Sequence, residues 1–236
     1  MRFEDYKKSS HTVDIVVIAY ETVETTDIKR SNMQRLKVML SKRKIEPFEG
    51  MFSLPGGFID YDVTMADAAK SKLKIKTGVD NIYMEQLYTY GDDLYRDPRG
   101  RVISTAYIAL VDKEKIAISD EDTDWFTIST TRNDDGKIES IKVMDDAFKE
   151  VTLAFDHKKI LLDALERLRG KILYTDIALN ILPDTFTIRE IQDVYELIHG
   201  KSIPSFRRII ADKIKPTGVK VGGSGYRPSE LYTRLK

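Results

Sequence analysis

Apolar residues in the first half of the chain come in short, strand-like bursts. Residues 14–21 (DIVVIAYE) and 36–43 (LKVMLSKR) are rich in β-branched and apolar side chains and predict two strands. The polar stretch between them is long for a hairpin loop. A third short strand is expected at 51–54, ended by the turn Pro55-Gly56-Gly57. The period then changes. Met65, Ala68, Ala69, Leu73 and Lys76 recur at helical spacing after Thr64, a candidate N-cap, and Gly78 ends that helix. Strands return at 83–90, 102–111 and 124–129, the first two joined by GDDLYRDPRGR.

Near Asp156 the pattern becomes helical. Asp156 can cap a helix whose stripe is Ile160, Leu161, Ala164, Leu165 and Leu168, with Gly170 as a closing or bending point. A short helix is expected from Thr175 to just before Pro183. Thr187-Ile188-Arg189-Glu190 has the form of a capping box, followed by Ile191, Val194, Tyr195 and Ile198 on one face and Gly200 at the end. Another helix is predicted over 204–214, opening with Pro204. Gly218, Gly222, Gly223 and Gly225 then punctuate a ribbon. Three helices and a glycine-tipped hairpin predict a winged helix-turn-helix. The expected division is 1–155 for the strand-rich domain, 156–171 for a linker helix and 172–236 for the winged helix.

Composition narrows this only locally. The 236 residues carry equal numbers of basic and acidic side chains. From Lys201 to Lys236, however, nine bases face two acids, a patch suited to a polyanion. No cysteine is present, which excludes disulfides and thiolate metal sites and fits a reducing compartment. The polar N-terminus has no signal-like apolar core and no apolar run could span a bilayer, so a cytoplasmic location is expected, with no membrane partner.

The predicted second helix of the winged unit carries Ser205, Arg207, Arg208 and Lys213, while Phe206, Ile209 and Ile210 face the core. Such a helix enters the major groove, and a wing contacts backbone or minor groove. The wing, 219–227, adds Lys220 and Arg227. Arginine suits phosphates and guanine edges alike. The candidate DNA-binding residues are therefore Ser205, Arg207, Arg208, Lys213, Lys220 and Arg227. The alternative is a protein-interaction module whose bases only solvate the surface.

Residues 54–79, LPGGFIDYDVTMADAAKSKLKIKTGV, resemble the Nudix box, G-x5-E-x7-R-E-U-x-E-E-x-G-U, where U is a bulky aliphatic residue. With Gly78-Val79 on its last two positions, Gly57 falls on the first glycine. The acid after that glycine becomes Val63, the Arg-Glu pair Ser71-Lys72 and the Glu-Glu pair Ile75-Lys76. In Nudix enzymes these glutamates hold Mg²⁺ or Mn²⁺ against a diphosphate, and a hard dication needs several oxygen ligands. With Val63, Ser71, Lys72, Ile75 and Lys76 in those places, no catalytic residue, no metal and no cofactor is expected. Lys72 and Lys76, four residues apart, share a helix face. Their reversed charge could bind an anion directly, or both could simply be solvated.

Taken together, the halves resemble the NrtR-type family of Nudix-related transcriptional regulators. The resemblance runs through Leu54–Phe58, Thr77-Gly78-Val79, Arg96-Asp97-Pro98-Arg99-Gly100-Arg101-Val102, Leu153-Ala154-Phe155-Asp156-His157, Phe206-Arg207-Arg208 and Arg227-Pro228. It implies an α+β protein: a Nudix α/β/α-sandwich domain followed by the winged helix. It also implies a homodimer on a double-stranded DNA operator, with a small-molecule effector, ADP-ribose-like or a sugar, bound in the Nudix domain. By position, the resemblance assigns Arg43, Gly57, Phe58, Arg96, Arg101 and Tyr107 to the effector site, beside Lys72 and Lys76. The expected activity is ligand-linked repression. The rival is a divergent Nudix hydrolase of nucleoside diphosphate derivatives, drawing acids from Asp92, Asp93 or 120–124.

Overall fold

The structure, a computed structural model, describes residues 2–23, 33–80, 82–222 and 228–235. Most of the loop expected after the first strand, and the wing tip with Gly223, Gly225 and Arg227, lie outside the described residues.

Strand β1 (Ser10–Val23) pairs antiparallel with β2 (Met33–Lys42), and two short strands, β3 (Phe52–Ser53) and β4 (Gly56–Phe58), pair with β2 and β1 respectively. Helix α1 (Met65–Thr77) follows. Strands β5 (Met84–Tyr90), β6 (Val102–Val111), β7 (Thr123–Arg132) and β8 (Ile138–Met144) complete a sheet of order β5-β6-β1-β2-β7-β8, with β1 and β6 parallel.

Alternation along β1 explains the layers. Val13, Ile15, Val17 and Ala19 pack with Ala68, Ala69 and Leu73 of α1, whereas Val16 and Ile18 pack with Ile160, Leu161, Ala164 and Leu165 of helix α2 (His157–Lys171). The sheet therefore has a helix on each face, the expected α/β/α sandwich. Thr64 caps α1 through its hydroxyl, and Gly78 closes it in the left-handed conformation, as the spacing predicts. The buried stripe of α1 ends on Thr77 rather than Lys76, and Met65 is exposed.

The C-terminal part begins with a short 3-10 helix, Ile177–Ile181, inside the stretch from Thr175 to Pro183 where the sequence predicts a short helix. Strand β9 (Phe186–Thr187) leads into α3 (Ile188–His199), which has the full capping box, Thr187 with Glu190, and a left-handed Gly200 at its end. Then come α4 (Phe206–Ile210), β10 (Ile214–Val221) and β11 (Ser229–Arg234), forming a small sheet β10-β11-β9. This is a winged helix.

Several elements depart from the sequence reading. The helix expected over 204–214 is only α4. Ser205 takes a left-handed backbone, and Ile214 already pairs with Arg234 in the wing, so the chain past Ile210 is drawn into the sheet. Strand β8 was not predicted: a register shift at Thr131/Arg132 and its charged outward residues blur the alternation of Ile138, Ile141 and Val143. Gly170 lies within α2 and does not stop it. Asp156 stands at the N-cap of α2, but its side chain does not cap.

Helix α2 does not stand free between domains. Leu165 and Leu168 belong to one continuous apolar core that reaches from Val16 and Phe126 to Ile191, Tyr195 and Phe206. Fully burying each such side chain contributes about 1.5–3 kcal/mol. Gln34 Nε2 donates to Asp193 at 3.0 Å across the same junction.

Candidate functional site

A cleft opens where the glycine loop, the start of β1 and the start of α2 meet. Thr12, Asp14, Arg43, Leu54, Gly56, Gly57, Phe58, Arg96, Asp97, Arg99, Phe155 and His157 line it. Gly56 is required by close approach: a Cβ there would lie 2.2 Å from the Val13 carbonyl oxygen. That contact holds β4 against β1 and sets the loop on the floor of the cleft.

Beneath the loop is a buried polar cluster. The Asp14 carboxylate accepts from Ser104 and lies 3.7 Å from Arg96 and 3.4 Å from His157 Nε2. The His157 Nδ1 accepts the Leu54 amide at 2.9 Å, so the ring proton sits on Nε2, toward Asp14. Arg96 forms a bidentate pair with Asp156, 2.9 and 2.6 Å. Burial alone would raise the Asp14 carboxyl, but His157, Ser104 and Arg96 outweigh it and hold it below its ordinary 3.8. A lowered carboxyl contributes stability that is complete above its unfolded value and lost as pH falls through the folded one. The melting temperature of Asp14→Asn should accordingly fall less between pH 5 and pH 3 than that of the wild type, as thermal scans would show.

Nearer the mouth, arginines and phenylalanines interleave. Arg99 pairs with Asp97 at 2.7 and 3.0 Å and lies over Phe58 (4.9 Å) and Phe155 (5.4 Å). Arg43 lies over Phe155 at 4.8 Å. Its guanidinium donates to the carbonyls of Pro47 and Ile45, with no acid among those partners. Burial and the nearby Arg99 lower the Arg43 pKa, outweighing the opposite pull of Asp97 and Glu46. Such a site favours an anion that brings its own negative charge.

Of the residues expected at the effector site, the cleft gathers Arg43, Gly57, Phe58 and Arg96. Lys72 lies just behind it: a Cβ on Gly57 would be 3.4 Å from Lys72 Cε. Lys76 points elsewhere and pairs with Asp120, whose carboxyl Lys76 and then Thr123 hold down at about 2. Arg101 is exposed, outside the cleft lining. Tyr107 is buried on the α1 face of the sheet with Ile15 and Leu73, opposite the cleft, because it is odd-numbered in β6 beside Ala106 and Ile108. The sequence reading passed over Asp14, Phe155 and His157 as site residues; Arg99 fell inside the segment 97–102 that the resemblance marks as the effector-site loop, without being singled out. An aspartate opening an otherwise apolar strand was the available signal for Asp14.

The residues at the box positions do not fit a metal ion. Val63, Ser71 and Ile75 are exposed, and Lys72 and Lys76 bring positive charge. Among the described residues, no group of three or more His, Cys, Asp or Glu is placed to hold one.

On the winged helix, Ser205, Arg207, Arg208, Lys215 and Lys220 are exposed on α4 and β10 and their approach. Phe206 anchors α4 from beneath, packed on Tyr195 at 5.0 Å. Lys213 instead turns inward and donates to the Thr175 carbonyl at 2.8 Å.

Comparison with known proteins matches residues 24–147 to the NUDIX domain and 178–233 to the NrtR DNA-binding winged helix domain. The chain is 30% identical to an ADPR responsive transcriptional repressor, NtrR, of Acinetobacter baylyi, over 97% of this chain and 83% of that one. The solved structure of Shewanella oneidensis NrtR is 35% identical, with TM-score 0.75, covering 95% of this chain and 94% of that one. Its complex with a 27mer DNA gives 33% and 0.72, covering 95% and 93%. An ADP-ribose pyrophosphatase of Methanocaldococcus jannaschii is 31% identical over 57% of this chain and 69% of its own length. No helix among the described residues is long and apolar enough to cross a membrane.

Proposed function

This chain belongs to the NrtR family, Nudix domains joined to a DNA-binding winged helix, and on that premise we propose that it is a transcriptional repressor released from its operator by an ADP-ribose-like effector. The observation that carries this reading is the continuous core: the arginine-bearing cleft and the exposed Arg207–Arg208 pair sit on domains packed together around α2, with β2 and β6 also touching the C-terminal part. A ligand in the cleft can then bias the placement of the winged helices, to the extent that it binds the two placements unequally.

The cleft chemistry favours a diphosphate over an uncharged sugar. Arg43 lacks an acid partner among its hydrogen bonds, Arg96 and Arg99 stand close by, and Phe58 and Phe155 offer flat apolar faces. Arg207, Arg208, Ser205 and Lys220 would hold the operator. A homodimer would place two winged helices on a palindromic site. In this reading 1–155 form the effector domain, 156–171 the coupling helix and 172–236 the DNA-binding domain.

The likeness to an ADP-ribose pyrophosphatase makes hydrolysis the rival. Without carboxylates at the box positions Val63, Ser71, Lys72, Ile75 and Lys76, ADP-ribose should bind and remain whole. Incubation with ADP-ribose and Mg²⁺, followed by chromatography, should give no AMP above the protein-free control. Steady AMP release would restore the enzyme reading. The regulatory reading is checked by anisotropy with duplexes tiling the DNA upstream of its own gene: binding that weakens on adding ADP-ribose supports it, and no binding to any tile sinks it.

A further inference from the structure

Resting on that function, we propose that Asp156 is a positioning residue that latches the cleft to α2. In one arrangement it holds Arg96. In the other, an anionic effector takes Arg96 and Asp156 returns to cap the helix.

Asp156 occupies the N-cap of α2, and aspartate is among the best capping residues. Its side chain nevertheless makes no cap bond. Both oxygens go to Arg96, at 2.9 and 2.6 Å. One carboxylate cannot serve the guanidinium and the first-turn amides at once, so the two uses compete. Asp14 at 3.7 Å is too far to hydrogen-bond Arg96, so with Asp156 gone the guanidinium, 5% exposed, would have buried donors without an acceptor. A phosphate entering the cleft is the alternative partner. Asp14, held by Ser104 beneath, stays near Arg96 in both arrangements.

The residues flanking Asp156 tie the same point to the cleft. Phe155, left-handed at φ 53°, lies against Arg43 and Arg99. His157 receives the Leu54 amide just before the glycine loop. At the far end of α2, Glu166 accepts the Ile138 amide at 2.6 Å, and Leu165 and Leu168 share the core with Ile191 and Tyr195 of α3. A packed helix about 22 Å long carries a shift at its start to the winged helix.

The test uses the full chain, calorimetry with ADP-ribose, and anisotropy on the upstream duplex with and without saturating ADP-ribose. Asparagine caps helices as well as aspartate but cannot hold Arg96 as an ion pair. Asp156→Asn should therefore bind ADP-ribose about tenfold tighter, because no ion pair has to be displaced. Its DNA affinity should already be reduced, and the change on adding ADP-ribose should shrink to within about twofold. Asp156→Glu, which keeps the charge, should recover most of the wild-type response. In the wild type, hydrogen exchange at the amides of Lys158 and Lys159 should slow when ADP-ribose is added, a measurement that decides the matter if the variants do not fold.

Loss of a merely structural contact would lower the melting temperature and leave ligand affinity alone. A variant with wild-type affinity and response overturns the latch while leaving the repressor standing, as do first-turn amides that do not change. A wild type indifferent to ADP-ribose overturns the effector assignment and the latch together.

Discussion

Replacing Arg207 and Arg208 together by alanine is expected to weaken binding to duplex DNA by about a hundredfold, with no change in affinity for ADP-ribose. Both side chains are exposed on α4, and neither supports the core, which Phe206 and Ile210 fill. Each contact of an arginine with phosphate or guanine contributes about 1–2 kcal/mol, so two together give roughly two decades. If both contact phosphates, the slope of log affinity against log salt should fall by about two. If one reads a guanine, the slope should fall by about one, and discrimination among duplexes should relax. Anisotropy titrations from 50 to 200 mM salt would separate these cases. An affinity within threefold of wild type would remove α4 from the DNA interface. Lys213→Ala is the contrast: its amine bonds to the Thr175 carbonyl, so its main effect should be on stability.

Gly56→Ala is expected to cost the folded domain more than about 3 kcal/mol, the range of changes with a named steric cause. The new Cβ would stand 2.2 Å from the Val13 carbonyl oxygen and 2.9 Å from Asp14 Oδ1. Neither atom can yield, because Val13 lies inside β1 and Asp14 is held by Ser104. Either β4 leaves β1 or the sheet opens, and the Leu54 amide loses His157 in both cases. A melting temperature lower by about 10 °C should result, together with loss of ADP-ribose binding. Gly170→Ala is the matched control: nothing lies within 4 Å of its Cβ, and in the last turn of α2 it should leave stability unchanged or raise it by up to about 1 kcal/mol. A Gly56→Ala protein as stable as wild type would mean that β4 is not tied to β1 as described.

Much of the fold was legible because its signals are local. Thr64 and Gly78 bracket α1 through a hydroxyl and a left-handed turn, and Thr187 with Glu190 starts α3, each within four residues of sequence. The central strands carry enough β-branched residues to be seen unaided. Strand β8 was not legible, since its register shift sets its buried positions at uneven spacing. The length of α4 was not legible either, because its end is decided by pairing with Arg234, twenty residues on.

The site divides in the same way. From sequence alone, the glycine loop, the missing box acids, the basic C-terminal segment and the arginines at 96, 207 and 208 could all be identified, because each is a matter of residue type and spacing. Only tertiary structure decided which charges are free to act. Lys76 is held by Asp120, Lys213 by a carbonyl, and Tyr107 lies on the far face of the sheet. Asp14, His157 and Asp156 come together from positions more than 140 residues apart. A charge is available to a ligand only if no nearer partner holds it, or if the ligand can displace that partner. That partner is chosen by how strands and helices pack, which no local pattern of residues records.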